Sequence, residues 1–135
     1  MIRKISQIVC VMIITVMLAS CKNTKQKLQE HVVTYNSAAS DFKGKHITNT
    51  TARGYINDNK IELRIETDLV QNEANKSATS KIFPGLIKEM IKKDHISKEL
   101  VEEGVRFDVY YLADDNTLLA KEIISREEIN KFLEK

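Results

Sequence analysis

Apolar residues recur every three or four positions in two stretches of the chain, and this spacing predicts two amphipathic helices. The first stripe consists of Leu28, Val32, Tyr35, Ala39 and Phe42. It predicts a helix over residues 25–42, ending near Gly44. The second stripe begins at Ile82 and predicts another helix, in which Pro84 is acceptable only in the first turn. The polar stretch 71–80 between them has no clear period and is predicted to be a loop.

Two pairs of alternating segments predict two β-hairpins. The first pair covers residues 47–56 and 60–68, joined by Asn57-Asp58-Asn59, and the second covers 105–111 and 117–124, joined by Asp114-Asp115-Asn116. Both connections are rich in Asp and Asn, which tolerate the left-handed backbone of a tight turn. In segment 60–68, apolar Ile61, Leu63 and Ile65 alternate with charged Lys60, Glu62, Arg64 and Glu66, so one face of the strand is buried and one is in water.

The helices and hairpins together predict an α+β domain. Ser97 can cap a short helical turn that ends at Gly104, and Ser125 with Glu128 has the spacing of a capping box for a last helix that buries Ile129, Phe132 and Leu133. The element order is then α-β-β-α-β-β-α. We expect a small antiparallel sheet of about four strands with helices packed on its single apolar face. Segment 47–56, which is polar on both faces, suits an edge strand.

The first residues form a different pattern, with a basic start, a short apolar run and a small-residue site that ends in cysteine. Arg3 and Lys4 precede the run over residues 8–19, which is shorter than the roughly 20 residues of a membrane-spanning helix. Leu18-Ala19-Ser20-Cys21 follows, and the segment resembles the signal peptide of a bacterial lipoprotein. The alternatives are an uncleaved membrane anchor and an ordinary secreted protein with an incidental cysteine.

The lipoprotein resemblance implies cleavage between Ser20 and Cys21 and a covalent lipid on Cys21. It divides the chain into a signal peptide over 1–20, a lipidated tether over 21–27 and a single domain over 28–135. Lys22 follows the cysteine, where inner-membrane retention uses an acidic residue in enterobacterial-type sorting. In a Gram-negative organism, the resemblance therefore implies the outer membrane, with the domain facing the periplasm.

Lipidation also changes the cysteine and charge counts. Cys10 leaves with the signal peptide and Cys21 carries the lipid, so the mature domain has no thiol for a disulfide, a metal site or a nucleophile. The chain has 21 basic and 19 acidic residues, and two of the basic ones, Arg3 and Lys4, lie in the signal peptide. The mature part is therefore balanced in formal charge, and no basic surplus indicates nucleic-acid binding.

No motif predicts a cofactor or a metal. His31, His46 and His95 lack the spacing that places two imidazoles on one helical face. The acid-rich turn at 114–116 lacks the alternate spacing and glycine of a calcium loop. The adjacent acid pairs Glu102-Glu103, Asp114-Asp115 and Glu127-Glu128 are more simply solvated residues than a catalytic dyad. The only cofactor we expect is the covalent lipid on Cys21.

Tyr110, Arg64 and Tyr55 are the candidate protein-binding residues. Tyr110 falls on the polar side of its predicted strand, where an exposed aromatic can anchor an interface, although a tyrosine lying across the wet face of a sheet is the simpler interpretation. We expect binding through the polar sheet face together with loop 71–80, or by strand addition at the sheet edge.

Three functions remain open from the sequence. The first is a non-enzymatic, membrane-anchored envelope protein that binds another envelope protein, as an accessory or pilotin-like component of an assembly. The second is an inhibitor or immunity protein that neutralises a toxin or enzyme at the membrane. The third is a hydrolase without a recognisable motif that uses the scattered acids.

Overall fold

The computed structural model of the protein describes residues 23–42 and 44–133. Its strands are β1 (Ile47–Tyr55), β2 (Lys60–Thr67), β3 (Arg106–Leu112) and β4 (Leu118–Ile124), which lie side by side in chain order in one sheet. The helices of the described residues are α1 (Thr24–Ser37), α2 (Glu73–Lys92), α3 (Lys98–Glu102) and α4 (Ile129–Leu133), and a short 3-10 turn (Ala39–Asp41) follows α1. The α+β class, the four strands and the predicted element order are confirmed.

The sheet is mixed, which corrects one part of the predicted topology. The β1–β2 and β3–β4 hairpins are antiparallel as expected, but β2 and β3 are parallel. Segment 68–105 contains α2 and α3 and returns the chain to the end of the sheet where β2 begins. A connection of this kind produces a parallel pair, whereas a tight turn produces an antiparallel one. The alternating patterns indicate the hairpins but contain no information on the direction between them.

The core lies between one face of the sheet and the helices. Ile61, Leu63 and Ile65 of β2 are fully buried, and each pairs across the parallel register with a buried β3 residue. The β3 partners are Phe107, Val109 and Tyr111. Residues of every helix join this cluster, among them Leu28, Phe83, Leu100 and Ile129. The alternation in the sequence therefore predicts which face of each central strand is buried.

Helix α1 begins earlier than the predicted tether allows. Asn23 and Gln26 form a reciprocal capping box, in which the Gln26 backbone N–H donates to Asn23 Oδ1 at 2.9 Å. The helix therefore starts at Thr24, and residues 24–27 of the predicted tether are helical. Cys21 and the signal segment lie outside the described residues.

Helix α1 packs closely against the edge strand β1. A Cβ atom placed on Gly54 would lie 2.9 Å from Leu28 Cδ2 and 3.3 Å from Val32 Cγ2, so any larger residue would force the Leu28 side chain to move. Further along, the hydroxyls of Tyr35 and Thr50 are hydrogen-bonded at 2.5 Å. Both side chains are buried, and desolvation raises the pKa of Tyr35 to about 12.

The predicted loop 71–80 is wrong, because α2 already begins at Glu73. Asn72 caps the helix by accepting from the Asn75 N–H at 2.7 Å. Thr79 is the buried residue of the first two turns, and its neighbours Asn75 and Lys76 are half-buried. These side chains are polar, so the segment has no apolar period. Pro84 consequently lies in the interior of the helix rather than in its first turn.

The predicted cap is present at α3, whereas the start of α4 differs from the prediction. The Ser97 hydroxyl caps α3 by accepting from the Leu100 N–H at 3.2 Å, and Gly104 lies just beyond its end with a φ of 99°. The Ser125 hydroxyl instead donates to Glu127 at 3.2 Å, and α4 starts only at Ile129. Leu133 is 36% exposed and is not the buried residue that the pattern predicts.

Candidate functional site

The sheet face turned away from the helices is the candidate binding surface. It presents the odd-numbered residues 49–55 of β1, the even-numbered residues 60–66 of β2 and 106–112 of β3, and Leu118, Lys121 and Ile123 of β4. We call this surface the open face. Leu112 is 4% exposed but lies outside the core cluster, as expected for a residue on the opposite side of the sheet.

One end of the open face is an ion-pair cluster around Asp108. This carboxylate is 2% exposed, and Arg106 Nε donates to its Oδ1 at 2.9 Å while Lys60 Nζ lies 3.8 Å from its Oδ2. Lys60 also lies 3.6 Å from Glu62. A buried carboxylate requires such partners, because an unpaired charge away from water is costly. The sequence pattern places Asp108 on the wet face but does not indicate its burial.

Tyr55 belongs to the ion-pair cluster around Asp108 and lies apart from Arg64 and Tyr110, the other two candidate residues. Its hydroxyl donates to Glu62 Oε2 at 3.1 Å, and Lys60 Nζ lies 4.7 Å from its ring centroid. Tyr55 pairs with Lys60, four register positions from the pair that contains Arg64. Tyr55 is therefore held by contacts within the domain, to Glu62 and Lys60, and these contacts give it a structural role.

The structure brings Arg64 and Tyr110 together. They are direct cross-strand partners in the β2–β3 register, and Tyr110 in turn pairs with Lys121 of β4. Lys121 Nζ lies 5.0 Å from the centroid of the Tyr110 ring, within cation–π distance. Tyr110 is half-buried and both cations are exposed, so all three side chains remain accessible. We call Arg64, Tyr110 and Lys121 the cation–tyrosine row.

Exposed aliphatic side chains border this row on β4. Leu118 and Ile123 are 43% and 40% exposed, and they flank Lys121 along the strand. Leu118 pairs with Leu112 across the open face. This patch is not expected from the sequence, where the sheet has a single apolar face and that face is covered by helices. Alternation along β4 places Lys121 and Ile123 on one side, and the irregular register between Tyr111 and Leu112 brings Leu118 to the same side.

The outer edge of β1 is partly occupied by α1. The Asn36 side chain donates to the Ala52 carbonyl at 3.0 Å and accepts from the Ala52 N–H at 2.7 Å, as a paired strand would. A groove of about 570 Å³ runs along this edge, lined by Asn36, Thr51, Arg53 and Arg64 among others. Because Asn36 blocks the peptide group of Ala52, the edge is protected against simple strand addition at that position.

The histidines and the acid-rich turn have structural contacts. His31 Nε2 donates to the His95 carbonyl at 2.8 Å, and His46 is paired with Asp68 at 2.8 Å. Asp115 accepts from both the N–H and the hydroxyl of Thr117, which is a turn geometry, and these bonds lower the pKa of Asp115. Within the described part of the chain, no cluster of three or more His, Cys, Asp or Glu side chains could hold a metal ion.

The comparisons with known proteins leave the family open. No protein-family model matches the sequence, and no curated protein matches it. Among solved structures, the chain is similar to the type II secretion system pilotin AspS from Vibrio cholerae, with 14% identity and a TM-score of 0.47 over 76% of this chain and 95% of that chain. A likeness of this size is too distant to assign a shared partner or role.

Among residues 23–42 and 44–133, no helix combines the length and apolar character needed to cross a membrane.

Proposed function

We propose that this chain is a lipid-anchored protein of the bacterial envelope whose domain binds another protein and catalyses no reaction. The observation that carries the binding role is the open face, where a half-buried tyrosine and two exposed aliphatic side chains lie together, uncovered by the described helices. Tyr110, Leu118 and Ile123 are these side chains. Apolar and aromatic groups clustered on one accessible face are typical of protein-interaction surfaces.

The membrane location rests on the lipobox-like Leu18-Ala19-Ser20-Cys21. The lipid on Cys21 would hold the domain at the bilayer, since each buried methylene contributes about 0.8 kcal/mol and two or three acyl chains anchor a protein firmly. In a Gram-negative envelope, Lys22 favours the outer membrane, with the domain facing the periplasm.

Lipidation is tested with Cys21→Ala. We expect the variant to lose incorporation of a labelled fatty acid and membrane retention, while the domain still folds. The far-ultraviolet circular dichroism of the released protein checks the folding. Label retained by Cys21→Ala would contradict the lipoprotein assignment and would leave the binding role to be judged by itself.

The binding role is tested by photo-crosslinking in intact cells. A benzoylphenylalanine at position 123 lies on the open face and leaves Arg64, Tyr110 and Lys121 unchanged. Matched probes at Val33 and Ile82, which are 65% and 57% exposed on the helices, sample the other side of the domain. We expect a discrete crosslinked protein from position 123 and none from the two helix positions.

The crosslinked protein also separates the two binding functions. A resident envelope protein supports an accessory role in an assembly, whereas a secreted toxin or enzyme supports the inhibitor or immunity role. If none of the three positions gives a crosslinked protein, the proposed binding function is wrong.

A further inference from the structure

We infer that the open face binds an acidic segment of the partner protein, with Arg64 and Lys121 as charged contacts on either side of Tyr110. This inference rests on the proposed protein-binding function and deepens it by naming the chemistry of the bound segment. It is carried by three observations of the open face: its charge, the pairing of its acids and the arrangement of its central row.

The charge of the domain is unevenly distributed. The open face carries three acidic residues, Glu62, Glu66 and Asp108. It carries five basic residues, Arg53, Lys60, Arg64, Arg106 and Lys121. The mature chain as a whole is balanced, so the surplus of positive charge on this face is offset elsewhere on the molecule. A partner segment of opposite charge therefore meets this face more favourably than the rest of the domain.

The acids of the open face already have partners. Asp108 is held by Arg106 and Lys60, and Glu62 by Lys60 and the Tyr55 hydroxyl. Glu66 accepts from the Asn49 side-chain amide at 3.3 Å. These contacts lie within the domain and reduce the repulsion that the three carboxylates would exert on an incoming acid.

Two cations of the central row are left without an acidic partner. Neither Arg64 nor Lys121 makes an ion pair with any residue that the structure describes. Adjacent strands are about 4.8 Å apart, so these two cations flank Tyr110 over roughly 10 Å. Carboxylates of a bound segment can reach both cations while an aliphatic part of the same segment covers the tyrosine ring. Arg64 can bind a carboxylate through two parallel hydrogen bonds.

The exposed aliphatic residues next to the row favour a protein segment over a simple anion. Leu118 and Ile123 lie beside Lys121 and offer apolar contact that a phosphate or a lipid headgroup would not use. The bound segment of the partner therefore alternates acidic and apolar side chains. Binding of anionic lipid headgroups is the other outcome that the experiment must separate.

The test uses the full acylated chain in its own membrane, with benzoylphenylalanine at position 123, and maps the crosslinked partner peptide by mass spectrometry. We expect an acidic peptide. Arg64→Gln and Lys121→Gln should each lower the crosslinking yield about tenfold, the loss expected for one charge-assisted hydrogen bond. Lys92→Gln, an exposed lysine at the end of α2, is the matched control and should leave the yield unchanged. Equal thermal unfolding of the three variants shows that the fold is intact.

A charge exchange makes the assignment specific. Arg64→Glu should abolish the crosslink, and replacement of the mapped partner acid by lysine should restore it. A neutral or basic crosslinked peptide, or an unchanged yield in Arg64→Gln and Lys121→Gln, would overturn the inference. Crosslinks confined to Val33 or Ile82 would also overturn it, while leaving the proposed protein-binding function in place.

The lipid outcome is tested with the Cys21→Ala chain, which lacks the anchor. We expect vesicles of phosphatidylglycerol to retain it no better than vesicles of phosphatidylcholine. Retention by phosphatidylglycerol that disappears in Arg64→Gln would overturn the inference in favour of anionic headgroups.

Discussion

Val109 and Tyr110 are neighbours in β3 whose side chains lie on opposite faces of the sheet. Val109 is fully buried in the core, whereas Tyr110 is half-buried on the open face. Val109→Ala should lower the free energy of unfolding by about 2 kcal/mol, because it removes two methyl groups and leaves a cavity. Tyr110→Ala should have little effect on unfolding but weaken partner capture by about 1 to 2 kcal/mol.

Urea unfolding and crosslinking from position 123 measure these two effects separately. If Tyr110→Ala unfolds the domain, then Tyr110 is part of a second core layer and the open face is covered in the native protein.

We expect His95 to make the stability of the domain depend on pH. Its ring contacts those of Tyr35 and Phe42, at centroid distances of 5.9 Å and 5.0 Å. Desolvation lowers the pKa of His95 below its usual 6.5, and the nearby charges of Lys93 and His31 lower it further, while Asp94 opposes the shift. The unfolded chain then binds the proton more readily than the folded one. The contribution of His95 to the free energy of unfolding should therefore fall as the pH drops below about 6.5.

Unfolding in urea at a series of pH values between 8 and 5 tests the role of His95. We expect His95→Gln to flatten the dependence, because glutamine does not titrate. An equally steep decrease in the wild-type protein and in His95→Gln would assign the effect to other groups.

At the scale of the elements, two glycines give opposite predictions for the same substitution. Gly54 lies under α1, where a Cβ atom would approach Leu28 to 2.9 Å, whereas a Cβ atom on Gly85 in α2 meets nothing within 4 Å. Gly54→Ala should lower the free energy of unfolding by about 1 to 3 kcal/mol through overpacking. Gly85→Ala should raise it by about 0.5 to 1 kcal/mol, since alanine is the better helix former.

Thermal unfolding of the two alanine variants beside the wild type checks both signs. A Gly54→Ala protein as stable as the wild type would mean that α1 does not pack closely on β1.

The elements also show where sequence patterns are informative. The alternation in β2 and β3 predicts their buried faces, and it places Arg64 and Tyr110 on the open side. It does not predict that these two residues are direct neighbours, because their pairing depends on the parallel register. The start of α2 is missed because the residue it buries first is Thr79, and a polar buried residue gives no apolar period. The sequence pattern does not predict the burial of Asp108 either, because one of the cations paired with this carboxylate is Lys60 of the neighbouring strand.

At the scale of the whole molecule, the contacts of α1 define a near and a far end with respect to a lipid on Cys21. Thr24, at the start of α1, donates to Glu103, which follows α3, and Lys27 is paired with Glu103 and with Glu99 in the first turn of α3. Asn59 of the first hairpin turn donates to the Gly104 carbonyl at the same end. From there α1 runs antiparallel to β1, so that Leu28 faces Gly54 and Tyr35 faces Thr50.

This arrangement predicts the orientation of the domain on the membrane. Two residues, Cys21 and Lys22, separate the described chain from the predicted lipid, and they span at most about 7 Å. The turn at 56–59 should therefore lie near the bilayer, and the turn at 114–116 should lie about 25 to 30 Å farther away, the length of the nine-residue β1. The open face is then presented side-on to the membrane, where a neighbouring membrane-bound protein can reach it.

Single-cysteine labelling tests this orientation, because a mature chain cleaved and acylated as the lipobox predicts would have no free thiol of its own. A fluorophore on Asp58→Cys should be quenched strongly by lipids that carry a quencher at the headgroup. The same fluorophore on Asp115→Cys, in the far turn, should be quenched weakly, since quenching falls steeply with distance. Both positions are exposed, so the labels should not disturb the core. Equal quenching at the two positions, or stronger quenching at 115, would mean that the end of the domain with the turn at 56–59 does not face the bilayer.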